Sequence, residues 1–440
     1  MERIIERCAG LDVHRDTVVA TVRVPAEDGG RRQETRTFGT TTSQLLELSE
    51  WLTACGVTLA GMEATGIYWK PVFWVLEDHV ECWLLNAKHL RHVPGRKTDV
   101  SDSAWIAQLV EHGLVRPSFV PPKPIRELRD LTRYRRAQIE ERTRVIQRLE
   151  KVLQDAGIKL TSVASRILSV SGREMLEAML AGERDPQVLA GLARGKMREK
   201  IPQLAEALSG RFSSEHHGLM VAQMLAHVDF LDASIEAMTD RIDELMVPFE
   251  PIRARVMTMP GVKARTADQL IAECGVDMER FPTAAHLASW AGVCPGNNAS
   301  GGKQRQTHTR PGNKWLRHAL TEAAKAAARS KDTYLASRYA QLRGRRGRPK
   351  ATGAIRHDLI IAYWHIVKYE VDYHDLGPDW VASPNPQHPP PGAPARSPRP
   401  HRQPRTRRLT AATPRAGLRP AIPSRHPSAG LGQFHLTAAG

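Results

Sequence analysis

Near the start of the chain, apolar and polar positions alternate with a period of two. CAGLDVH and TVVATVRV read as strands, the second rich in β-branched residues, and QETRTFGT reads as a third strand at an edge. The first two are separated only by the short HRD, which predicts a tight hairpin. SQLLELSEWLTACG then switches to helical spacing, with Thr42 or Ser43 as its N-cap. VTLAGMEA is a fourth strand, IYWKPVFWVLEDH a helix with Pro71 in its first turn, VECWLLN a fifth strand and DVSDSAWIAQLVEHG a last helix. Three strands, helix, strand, helix, strand, helix predicts a mixed sheet flanked by helices.

PSFVPPKP breaks this pattern and marks a linker, its prolines barring regular structure up to about Pro124. Beyond it, IRELRDLTRYRRAQIEERTRVIQRLEKVLQDAG reads as one long helix. Its apolar stripe is incomplete (Leu128, Leu131, Val145, Leu149, Val152), and Arg129, Arg133, Arg136, Arg144 and Arg148 make much of the rest basic. Two compatible readings follow: a solvated face with internal Glu–Arg pairs, or an arm that tracks a nucleic-acid backbone. A second long helix carries Val221, Leu225, Val228, Leu231 or Asp232, Ile235, Met238, Ile242 and Leu245 at steps of three and four. That is a heptad seam able to pair as a coiled coil with the first helix or with another protomer. Residues 158–212 between the helices are helical and polar, with no readable role. VMTMPGVKARTADQLIAECG places a PG turn before a helix, as in half of a helix-hairpin-helix whose turn amides receive a phosphate. The expected organisation is 1–116, an α/β domain; 117–250, linker and long helices; 251–376, a mainly α domain; and 377–440, a tail.

Composition adds a partner class. The chain of 440 residues has 63 Lys and Arg against 47 Asp and Glu, a net charge of +16 and a pI near 9.9, which favours a polyanion. No run of about 18 apolar residues offers a membrane span, and the N-terminus enters a strand pattern without a signal-peptide core. Five scattered cysteines with no CxxC pair argue against zinc or a disulfide framework and suit a reducing cytoplasm. From Val381 to Gly440 there are nine Arg, thirteen Pro and no acid, so this stretch supplies +9 of the +16. It cannot bury a core and reads as disordered: either a basic nucleic-acid tether or out-of-frame translation of GC-rich DNA.

The acids fall at telling points. GRKTDVSDSAW sets Asp99 and Asp102 three apart beside Arg96 and Lys97. Either they suit the positive end of a helix, or they hold a divalent metal facing a phosphate. On a helix, a step of three residues keeps both on one face. Asp12 lies inside the apolar GLDV, where a carboxylate is costly unless paired or ligated, and Glu63 ends the fourth strand. If the first and fourth strands are neighbours, these acids converge. An all-oxygen site suits Mg²⁺ or Mn²⁺ rather than zinc or copper. Two such ions about 4 Å apart clamp the attacking and leaving oxygens of a phosphodiester, with Arg96 and Lys97 on the flanking phosphates. The plainer readings are a turn residue for Asp12 and a strand-end cap for Glu63. Further on, Ser300 precedes two glycines, with Lys303, Arg305, Arg310, Lys314 and Arg317 following; by itself SGGK reads as a flexible loop.

LDVHRDTVVATV, MEATGIYW and KTDVSDSAWIAQL resemble the DEDD motif of the insertion-sequence-110 family of transposases, relatives of the Piv DNA invertase. The order PGV, FPT, LASWAG, ASGGK and RPGNKWLR is similar to the C-terminal domain of the same family, and the likeness runs over about residues 7 to 376. It implies an RNase H-like N-terminal fold similar to the RuvC junction resolvase, with the metal-binding tetrad Asp12, Glu63, Asp99 and Asp102. It also implies Ser300 as the nucleophile on DNA, Ser289 being set aside as a helix residue. The expected function is a DNA transposase or recombinase that cleaves and exchanges strands through a serine-linked intermediate. It would be guided by a bridge RNA pairing with donor and target DNA, and would act as a homo-oligomer (dimer or tetramer) in the cytoplasm at the nucleoid, with no membrane partner. Two rivals remain: a junction-resolving nuclease that cuts with water, and a non-catalytic nucleic-acid-binding scaffold.

Overall fold

The computed structural model describes residues 4–381, apart from 28, 65, 88–89, 91–100, 295–298, 301–302 and 305–311. Asp99, Arg96, Lys97, Arg305, Arg310 and the basic tail therefore lie outside the described residues. Strands β1 (Cys8–Val13), β2 (Thr17–Pro25) and β3 (Arg31–Gly39) form an antiparallel meander. Helix α1 (Thr42–Ala54) leads to β4 (Leu59–Glu63), which inserts parallel to β1. Helix α2 (Trp69–Leu76) and β5 (Glu81–Leu85) complete a sheet of order β3-β2-β1-β4-β5. The strand and helix order expected from periodicity is the order found, with QETRTFGT at the edge.

Alternation along β1 divides the sheet into two faces. Ala9, Leu11 and Val13 join Ala60, Met62 and the apolar sides of α1 and α2 in one core. Cys8 and Leu59 face the other way, into a core with Leu85, Ile106, Leu109 and Val110. That second face is covered by α3 (Asp102–Glu111). Sequence periodicity starts this helix at Asp99; it starts at Asp102 because Ser101 is extended (φ −59°, ψ 147°) and its side chain accepts from the Ala104 amide. The expected one-turn relation between Asp99 and Asp102 falls on Asp99, outside the described residues.

Helix α4 (Lys123–Asp155), about 50 Å long by its residue count, is a spine for the remaining chain. Pro124 sits in its first turn, where a missing N–H costs nothing. Its early part packs with the C-terminal core through Ile125 and Leu128. Its end packs through Leu149 and Leu153 with α5 (Leu160–Val163), α6 (Val170–Leu180), α7 (Pro186–Gly191) and α8 (Ile201–Leu208). The stretch without a readable role thus builds its own core around Met175, Leu176, Leu189 and Leu204. Helix α9 (Leu219–Met246) lies along α4 in the same chain. Val221, Leu225, Val228, Leu231, Ile235 and Ile242 are buried as expected, but the seam ends on Met246 rather than Leu245.

Helices α10 (Glu250–Met257), α11 (Ala264–Cys274), α12 (Ala284–Trp290), α13 (Lys314–Ala327), α14 (Tyr334–Arg346) and α15 (Arg348–Tyr369) enclose the C-terminal core. A Cβ on Gly261 of the PG turn (φ +81°) would lie 2.4 Å from the Ala323 carbonyl oxygen. The alanine-rich face of α13 is what allows that approach. Residues Met1–Pro394 make one compact unit, and the second, Ala395–Gly440, lies outside the described residues. Among the described residues no helix is long and apolar enough to cross a membrane.

The gap in the apolar stripe of α4 is filled by Arg135, 1% exposed. Its Nη2 is 3.3 Å from Asp268 on α11, and Arg253 Nε is 2.8 Å from the same carboxylate. Burial pushes the Asp268 carboxyl above its ordinary range against the pull of both guanidiniums. Removing Arg135 leaves the buried Asp268 carboxylate to Arg253 alone, so Arg135→Met is expected to lose about 1.5–3 kcal/mol in chemical denaturation. Arg142→Ala, which breaks an exposed pair with Asp232, is expected to lose under about 1 kcal/mol.

Candidate active site

Asp12 follows the buried Leu11 on β1, and the strand pleat turns it to the face covered by α3. The parallel register pairs Gly10 with Gly61 and Leu11 with Met62, so one more step brings Asp12 level with Glu63, on the same face. Both stand at the carboxyl ends of their strands, where ligands enter α/β sheets. Asp12 is a quarter exposed, with His14 Nε2 3.1 Å from its Oδ2.

The third acid arrives through the direction of α3. Its C-terminal Glu111, 1% exposed, is held by Arg23 Nε at 2.7 Å and Arg31 Nε at 2.8 Å, and Arg23 pairs with Cys8 at the start of β1. Near its N-terminus, Ser103 Oγ lies 2.8 Å from Thr21 Oγ1, and Thr21 is opposite Gly10. The helix therefore runs antiparallel to β1, and Asp102 tops it at the edge that carries Asp12 and Glu63. The approach depends on glycine. A Cβ on Gly10 would sit 2.1 Å from Ser103 O and 2.3 Å from Ala107 N, and one on Gly61 would sit 2.6 Å from Val110 Cγ2. Asp12, Glu63 and Asp102 thus stand at the same end of one sheet face, without their carboxylates meeting within 4.8 Å of one another among the described residues; three carboxylates are ligands of the kind a hard divalent cation takes. Asp99, ahead of this helix, lies outside the described residues.

Ser300 is found on a different element. Ala299–Ser300 and Lys303–Gln304 form a short antiparallel ladder, β6 and β7, pairing Ser300 with Lys303 across the two glycines. The segment expected from SGGK alone to be a plain loop thus carries a hairpin. Its two roots touch: a Cβ on Gly312 would lie 2.4 Å from Ala291 O and 2.7 Å from Gly292 Cα. Asn313 caps α13, accepting from the Trp315 and Leu316 amides, and its Nδ2 donates to Glu273 Oε2 at 2.5 Å. Glu273, 1% exposed, also accepts two hydrogen bonds from Arg133, at 2.7 and 2.8 Å. The root of the serine hairpin is therefore tied to the spine helix through Arg133, Glu273 and Asn313.

This tie changes the reading of the basic candidates. Arg129 donates to the carbonyls of Ala272 and Glu273, capping α11, and burial lowers its pKa. With Arg133 on Glu273 and Arg136 on Glu140 at 2.7 Å, these guanidiniums are directed to protein acceptors, which fits a structural tie better than phosphate contact. Lys314 stacks on Trp315, Nζ 5.0 Å from the ring centre. Arg317 also stands on α13, and the Lys303 backbone pairs in the hairpin. Ser289 is an exposed residue of α12. Sequence reasoning missed Glu273 and Asp268, although both are acids inside an apolar helical run, the same signal that marked Asp12.

Among the described residues, a tighter cluster joins Asp155, His216 and His217, with ligand atoms within 4.8 Å of one another. His217 Nδ1 accepts from the Ser213 amide at 3.0 Å, so its proton resides on Nε2, 3.2 Å from Asp155. That tautomer leaves His217 no lone pair for a metal.

Two transposase family models match the sequence of this chain, one over each half. A transposase family model of the DEDD insertion-sequence-110 type matches residues 9–158. A second, described as Transposase IS116/IS110/IS902 family, matches residues 253–341. Together they span more than half of the 440 residues. The chain is 28% identical over 247 residues to "Insertion element IS110 uncharacterized 43.6 kDa protein" of Streptomyces coelicolor, 52% of this chain and 60% of that one. It is 24% identical over 277 residues to "Probable family 20 transposase" of Pseudomonas aeruginosa, 62% of this chain and 71% of that one. The chain thus spans about three fifths of the first relative's length and seven tenths of the second's.

Two substitutions test the geometry. Gly10→Ala is expected to push α3 off the sheet, losing about 1–3 kcal/mol in thermal or chemical unfolding. Asn313→Ala is expected to lose about 1 kcal/mol and to speed amide hydrogen exchange at Ser300 and Lys303 while the middle of α13 stays protected.

Proposed function

Since the chain belongs to the IS116/IS110/IS902 transposase family, we propose that it cleaves and rejoins DNA strands at the ends of an insertion sequence. The N-terminal domain is read as RNase H-like and similar to RuvC, with Asp12, Glu63, Asp99 and Asp102 as its metal-binding tetrad. The observation that carries this reading is the gathering of Asp12, Glu63 and Asp102 on one face and edge of the sheet, from three separate elements. Three acids from separate elements at one end of a sheet face are placed where a shared divalent ion could draw their carboxylates together. Their oxygen-only chemistry fits Mg²⁺ or Mn²⁺, which when bound would polarise the scissile phosphate.

Within this reading Ser300 is the nucleophile. Its hydroxyl oxygen bonds to phosphorus while one P–O bond of the DNA strand breaks. The hydroxyl proton leaves to a carboxylate or to solvent, and the departing DNA oxygen takes up a proton. Rejoining reverses the step with a new strand end. Serine hydroxyls need such activation at neutral pH. The two glycines that follow Ser300 in the sequence carry no side chains that would keep a nucleic-acid backbone away. Lys303, Arg305, Arg310, Lys314 and Arg317 would meet phosphates near the serine, and Arg96 and Lys97 those near the tetrad. A bridge RNA pairing with donor and target would supply sequence choice, leaving the protein to read shape and backbone. A homo-oligomer, dimer or tetramer, acting at the nucleoid in the cytoplasm, would hold the paired DNA ends together.

The test is chemical. Ser300→Ala is expected to abolish a covalent protein–DNA adduct while the protein stays folded by circular dichroism. Asp12→Ala, Asp102→Ala and EDTA are each expected to lower cleavage by at least about two orders of magnitude. Normal joining by Ser300→Ala would leave a water-using nuclease as the better reading. Indifference to EDTA and to both carboxylate substitutions would leave a binding scaffold.

A further inference from the structure

The corner between α14 and α15 carries the densest uncompensated charge among the described residues. Arg343, Arg345, Arg346, Arg348 and Lys350 fall within eight consecutive positions, all eight exposed, with no acid among them. None has a side-chain hydrogen bond or ion pair among the described residues. The nearby Arg338 shows the contrast, its Nε 2.6 Å from Asp358. The corner is rigid: Gly347 joins the two helices at φ +81°, and its amide donates to Arg343 O at 3.0 Å. It is also open, since a Cβ on Gly344 would meet nothing within 4 Å. Local helix stability accounts for only part of the charge: Arg343, Arg345 and Arg346 suit the C-terminal turn of α14, whereas Arg348 and Lys350 occupy the first turn of α15, where the dipole disfavours cations. The corner lies beyond residue 341, where the second family match ends.

Its place in the fold is set by α15. Tyr363 O–H donates to Gly275 O at 2.7 Å, beside the Glu273–Asn313 tie, and Arg356 Nη1 donates to Thr321 Oγ1 at 3.4 Å, farther along α13. Helix α15 therefore runs against α13, and from Tyr363 back to Lys350 it climbs about 20 Å away from the root of the serine hairpin. That is about six nucleotide steps of duplex. We propose that this corner is a docking surface for the phosphate backbone of duplex DNA, holding a segment that flanks the one at Ser300. The proposal rests on the transposase reading, and its occupant is duplex DNA continuous with the strand at Ser300, recognised by backbone charge alone.

The experiment uses the full chain and two probes, a DNA duplex and an RNA duplex of equal length and unrelated sequence. Binding is followed by fluorescence anisotropy from about 50 to 200 mM salt. In the variant R343Q/R345Q/R346Q/R348Q/K350Q the slope of log affinity against log salt is expected to become shallower by about 0.9 for each B-DNA phosphate that is no longer neutralised. Five lysines at these positions should restore it. The pair R348Q/K350Q gives a smaller change of the same sign and guards against a folding defect in the larger variant, as does an unchanged thermal midpoint. A shallower slope on the DNA probe supports the proposal, and one confined to the RNA probe overturns it. An unchanged slope on both, beside a steep slope for the unsubstituted protein, overturns it and leaves the transposase reading standing. If the unsubstituted protein shows no salt-dependent binding to either probe, the transposase reading falls as well.

Discussion

The arrangement depends on how closely one helix can approach one pair of strands. Helix α3 lies with its backbone against Gly10, a Cβ there having 2.1 Å to the Ser103 oxygen, and with Val110 pressed onto Gly61. Any side chain at Gly10 would lift the helix and with it Asp102. The two glycines stand on adjacent parallel strands, one pleat below Asp12 and Glu63. The same contact that packs the helix therefore sets the height of its N-terminus relative to both strand-borne acids. Packing and chemistry share one constraint here.

Buried carboxylates hold the elements in place by a recurring device. Glu111 is shared by Arg23 and Arg31, Asp268 by Arg135 and Arg253, and Glu273 by Arg129 and Arg133. Each joins elements that an apolar core alone would leave free to slide. Such buried pairs add little net stability over apolar packing, because desolvation offsets their attraction; what they add is register. In each case the register bears on the proposed chemistry: Glu111 anchors α3, Asp268 seats the spine helix on the C-terminal core, and Glu273 fastens the hairpin root to that helix.

The charge distribution follows from this. Much of the positive charge that looks available along α4 is directed to internal acceptors, whereas the corner at Arg343–Lys350 faces open solvent. Counting arginines along a helix overstates a nucleic-acid surface wherever the partner acids come from distant elements. Arg133 and Glu273 are 140 residues apart, so no local pattern joins them.

Much of the N-terminal half was legible in the residues. Strand alternation, helical spacing and the acids in GLDV and GMEA specify the element order and the strand-end positions of Asp12 and Glu63, because period-two and period-3.6 patterns are local properties of the chain. The start of α3 was misplaced because Ser101 adopts an extended capping conformation that periodicity does not see. What only the tertiary structure decided is which polar residues are spoken for: Arg135 buried in the seam, Glu273 tied to Asn313, and the roots of the serine hairpin in contact. Those choices depend on desolvation and on partners brought together by folding, and a side chain's burial is a property of its neighbours in space, which the linear order does not contain.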